Sequence, residues 1–181
     1  MTAAELNRCL LPLIGALVLS SGVVQAQSEW MSFASEDRVF EASFPDMPKS
    51  YVERRVKNGV MSVNRLMGAG NERFFCYAGY TDYSQVNGET ARPELEKVRD
   101  DFINGSFATL LEDRAVTLPR SSGDGLTANR FIAIGDERRY TSIIALDGTR
   151  VYQVIASTIR FGFKPDDIEH CLTGFKLTPQ P

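Results

Sequence analysis

Two dipeptides constrain this chain more than any other feature of it. Asn58–Gly59 and Asp147–Gly148 each lie between two runs of strand-forming residues. Each favours the positive φ angles that turn a chain back on itself within two residues. Residues 51–56 are therefore expected to pair with 60–67, and 139–146 with 150–157, as antiparallel hairpins. Residues 74–83 form a further strand, with Phe74, Cys76, Ala78 and Tyr80 on one face and Phe75, Tyr77, Gly79 and Thr81 on the other. Both faces are rich in apolar groups, so this strand should be covered at least partly on each side. Strands at 39–44, 115–118, 126–134 and 175–177 complete the set. The first is halted by Pro45 and Pro48, which remove ladder donors.

The period changes over residues 89–111. Leu95, Val98, Phe102 and Ile103 recur at helical spacing, and Leu110 and Leu111 continue the stripe. Pro93 is tolerated only in a first turn, which places the helix start near residues 90–92. A second helix starts at Lys164, where Asp166 and Asp167 complement its positive end, and it buries Ile168, Cys171 and Leu172. Gly174 ends it. The order of elements predicts an α+β fold, a large antiparallel sheet with helices packed over it.

The first 26 residues read as a secretory signal peptide: Arg8, then an apolar run over 9–18, then Val24-Gln25-Ala26 with small residues at −3 and −1. The run is about half the length that a membrane span needs, so no integral span is expected after cleavage. A single domain over 27–181 is expected, in the periplasm or outside the cell. Glu5 and Arg8 leave together, so the net charge stays at −3, which gives no bulk attraction for nucleic acid. Of three cysteines, Cys9 is lost with the leader. Cys76 and Cys171 remain, and in an oxidising compartment their leading reading is a disulfide.

Residues that carry chemistry are sparse. His170 is the only histidine, and with two separated cysteines it falls short of a zinc set. There is no Gly-x-Ser-x-Gly elbow and no phosphate-binding glycine loop, so no catalytic residue, metal or cofactor is assigned. A Cys76–His170 pair is the one dyad left open. Arg54, Arg55, Lys57 and Arg65 sit on the two arms of the first hairpin, and Arg138, Arg139 and Arg150 lie at the starts of two later strands; they are read as a patch for an anionic partner or as a solvated face. Tyr83, where its strand leaves the sheet, is a candidate rim residue of a shallow groove. Trp30 is expected to pack near the start of the mature chain as core.

Several landmarks together resemble a known family. Trp30-x-x-Phe33, Ser35-Glu36 and Phe40-x-x-x-Phe44-Pro45-x-x-Pro48 are similar to the opening of the PsbP-like superfamily of small secreted α/β/α sandwich domains. Tyr80-Thr81-Asp82-Tyr83 and the closing Phe175-x-Leu177 fit the same pattern. The resemblance implies an extrinsic subunit or binding module and carries over no catalytic residue. The expectation is a non-catalytic interaction or accessory module whose partner is another envelope or secreted protein. The alternative is a small hydrolase or thiol-dependent enzyme using Cys76 and His170.

Overall fold

The computed structural model describes residues 30–85, 92–120, 123–162 and 164–178. The predicted leader and residues 89–91 of the predicted helix lie outside these. The elements are β1 (Met31–Ala34), β2 (Phe40–Phe44), β3 (Lys49–Lys57), β4 (Val60–Gly70), β5 (Phe74–Gln85), α1 (Leu95–Gly105), β6 (Thr109–Leu118), β7 (Leu126–Ile134), β8 (Arg138–Asp147), β9 (Arg150–Ile159), α2 (Pro165–Thr173) and β10 (Lys176–Leu177).

Seven strands make the main sheet in the order β3-β4-β5-β9-β8-β7-β6, and β1-β2-β10 make a small one. Every neighbouring pair is antiparallel. Lys57 pairs with Val60 around Asn58 and Gly59, both at positive φ, which gives the expected two-residue turn. In the second hairpin Asp147 pairs with Arg150, so the turn residues are Gly148 and Thr149, one place later than the Asp147–Gly148 dipeptide suggests. Gly148 alone takes positive φ there.

The α+β expectation, with its sandwich of helices over a sheet, is overturned. Strands hold 59 % of the described residues and helices 14 %, in two antiparallel sheets. The physical reason lies at two places. The helical stripe ends early: α1 stops at Gly105, Phe107 turns the chain at φ 50°, and Leu110 and Leu111 belong to the exposed edge strand β6. On the opposite face, α2 is only nine residues long, and β1-β2-β10 supply much of the cover that a helical layer would provide.

Two separate cores result. On the first face Cys76, Ala78, Tyr80, Tyr152, Val154 and Ala156 pack against Phe40, Ala42 and Phe44 of β2, Phe175, and Ile168, Cys171 and Leu172 of α2. On the second face Ile103 of α1 packs on Phe131, Ala133 and Ile144, flanked by Leu95, Val98 and Phe102. That helix rests on β7 and β8. The β5–β9 half of the same face carries no covering element among the described residues.

Candidate functional site

The uncovered half-face is a furrow of about 610 Å³. The strand register explains its shape. Phe75 pairs across β5–β9 with Ser157, which pairs with Tyr140 on β8, while Tyr77 pairs with Ile155. Large aromatic groups thus stand on both sides of β9, whose own Ile155 and Ser157 form a low, buried floor. Phe102 of α1 closes the Tyr140 side, its ring edge-on at 5.5 Å. On the other side Phe75 and Tyr77 lie tilted together with centroids 4.4 Å apart.

Gly68 on β4 lets those two rings lie down. A Cβ there would stand 2.6 Å from Phe75 Cε1 and 2.9 Å from Tyr77 Cδ1. In the sequence alone Gly68-Ala69-Gly70 reads as a turn, but the structure places all three residues at the end of β4. The signal for Gly68 was its place opposite Tyr77, which is readable only once the β4–β5 register is known.

Arg138 stands at the furrow wall. Its Nε donates to Ser157 Oγ at 2.6 Å, Nη2 to the Ser157 carbonyl at 3.0 Å and Nη1 to the Glu72 carbonyl at 3.0 Å. Burial pushes the Tyr77 phenol up, the nearby Tyr51 and Tyr140 rings add to this, and the Arg138 charge opposes it. Three phenols and one guanidinium therefore sit within electrostatic reach of one another.

The basic residues singled out in the sequence do not converge. The register puts Arg54 and Arg65 on the α2 side of the sheet and Arg55, Lys57 and Tyr83 on the furrow side. Arg55 meets Glu53 at 2.8 Å on the exposed edge strand. Arg65 is held by Asp82 at 3.2 Å, and Arg150 binds the same carboxylate at 2.6 and 3.1 Å. Arg150 also lies 4.1 Å above the Tyr80 ring, so this cluster closes the end of the first core with two guanidinium groups sharing one carboxylate. Tyr83 is six residues along β5 from Tyr77, roughly 20 Å away at strand rise, and outside the furrow lining. Burial raises its phenol, helped by the Asp101 charge of α1.

Cys76 and Cys171 are bonded, with S–S 2.10 Å and Cα atoms 5.8 Å apart. Both are fully buried. A Cys76–His170 dyad therefore has no free thiol. His170 is exposed on α2 and stacks on Trp30 with ring centres 5.4 Å apart, beside a small hollow of about 270 Å³. Among the described residues, no cluster of His, Cys, Asp and Glu has the geometry to hold a metal ion. No helix among them is long and apolar enough to cross a membrane.

No protein-family model matches the chain, and no curated protein matches it at a significant level.

Proposed function

We propose that this protein is a non-catalytic binding module of the periplasm or the cell exterior, working through the furrow on its main sheet. One observation carries the reading: half of a sheet face presents Leu66, Phe75, Tyr77, Phe102, Tyr140 and Ile155 around an open space of about 610 Å³. Ligand sites are typically concave, mostly apolar and of this size, with a few placed polar groups. The buried cysteine bond suits an oxidising compartment. The partner is another envelope or secreted protein that inserts an apolar segment. This role needs neither metal nor cofactor.

The test is comparative capture from an envelope extract by the mature protein and by Leu66→Glu/Tyr77→Glu, whose fold is first verified by circular dichroism. Leu66 and Tyr77 are both only half-buried, so the charges can reach water without unfolding the sheet. At least one protein should be retained by the natural chain and lost by the variant. Identical captured sets would remove the furrow as the binding surface.

A further inference from the structure

We infer that the segment accepted by the furrow is anionic as well as apolar, a chain terminus whose carboxylate docks at Arg138. The inference rests on the binding role proposed above and adds the chemistry of the partner.

Arg138 is the one cation among the residues that line the furrow, beside the Tyr77, Tyr140 and Ser157 hydroxyls, the Asn71 amide and Glu72. A guanidinium has five N–H donors, and Arg138 uses three on neutral acceptors, leaving one on each terminal nitrogen. Arg65, Arg99, Arg120, Arg130 and Arg150 each meet a carboxylate within 4 Å. Arg138 meets none among the described residues. Glu72 reaches the furrow mouth, but its carboxylate is beyond ion-pair distance and only its backbone carbonyl binds Arg138. The Tyr77 and Tyr140 hydroxyls have no hydrogen-bond partner among the described residues and flank the same wall.

A fixed cation with its guanidinium plane set by Ser157 and Glu72, two spare N–H groups and two phenol donors is a ready donor site for a carboxylate. The apolar floor beside it accepts the side chains that precede that carboxylate. Capture of a terminal carboxylate is an established mode of peptide recognition. An apolar residue followed by a free chain end satisfies both parts, whereas an uncharged segment leaves Arg138 unpaired.

The test uses acetyl-Phe-Leu-Phe as the free acid and as the terminal amide, titrated into the isotope-labelled mature protein by NMR. The acid should shift resonances of Tyr77, Tyr140, Ile155 and Ser157 and bind about tenfold more tightly than the amide, as expected for hydrogen bonds to a charged group. Arg138→Met should bring the two peptides to equal affinity, and Arg138→Lys should retain part of the preference. Arg138 also ties β8 to the β4–β5 turn, so Tyr77→Phe/Tyr140→Phe serves as a second variant that removes only the two hydroxyls. It should weaken the acid several-fold and the amide by less, so that the preference for the acid narrows. Equal affinities of acid and amide for the natural chain would overturn the carboxylate inference and leave the furrow role standing. Furrow shifts from neither peptide would overturn both.

Discussion

Tyr80 shows how one residue joins two sheets. It is 2 % exposed in the first core, yet its hydroxyl reaches Asp37 in the turn between β1 and β2. Burial first, then the Asp37 bond and charge, push the Tyr80 phenol from 10 up to about 12. Burial works to raise the Asp37 carboxyl, but hydrogen bonds from Tyr80, Ser35 and nearby backbone outweigh it and hold it below the ordinary carboxylate value. The signs of the two linkages are opposite. The contribution of Tyr80 is whole below pH 10 and is lost as pH rises toward 12. That of Asp37 is whole above the ordinary carboxylate range and is lost as pH falls through its lowered value. Tyr80→Phe should therefore destabilise the fold by roughly 1.5–3 kcal/mol in urea melts at pH 7. It should also delete the last phenol to ionise in an ultraviolet titration; an unchanged late phase would place that phenol elsewhere. None of this was legible in the sequence, because Asp37 and Tyr80 are 43 residues apart and meet only through the packing of the small sheet on the large one.

Elements are where the reading succeeded and failed most visibly. The hairpins were legible because turn chemistry is local: Asn58 and Gly59 are residue types that accept positive φ at little cost, and both adopt it. The reach of α1 was not. Leu110 and Leu111 continue a helical stripe, but helical and strand periods coincide over such short windows, and pairing of β6 with β7 decided between them. A register irregularity between Leu110 and Glu112 marks the place. The bond from β5 to α2 closes 95 residues of chain and fixes the short helix over the first core. Cys76→Ala/Cys171→Ala should lower the urea-derived stability by about 2–5 kcal/mol. A loss under 1 kcal/mol would mean that packing of Ile168 and Leu172 alone holds α2 in place.

The two cores lie on opposite faces of one sheet, so loss of that sheet exposes both. Unfolding should be a single cooperative transition. Trp30, the one tryptophan, stacks on His170 and meets Phe74 edge-on at 5.8 Å, so its fluorescence reports the first face. Far-ultraviolet circular dichroism reports the strands of the whole sheet. The two signals should give superimposable urea curves, and separated midpoints would show that the faces come apart independently. The scale of the whole molecule also explains the furrow. It exists because α1 rests on β7 and β8 and extends no further across a seven-stranded sheet.

The sequence by itself determined what depends on neighbours along the chain: the tight turns, the alternation of faces on β5, the caps and buried stripe of α2, and the two cysteines available for a bond. Tertiary structure alone decided which strands became neighbours. That placed Ser157 between Phe75 and Tyr140, split the basic residues between two faces, paired Arg65 with Asp82, and set Arg138 at the furrow wall with no carboxylate partner among the described residues. The reason is physical. Turn and strand preferences act over a few residues, whereas a binding surface is built from side chains that only sheet order and register bring together.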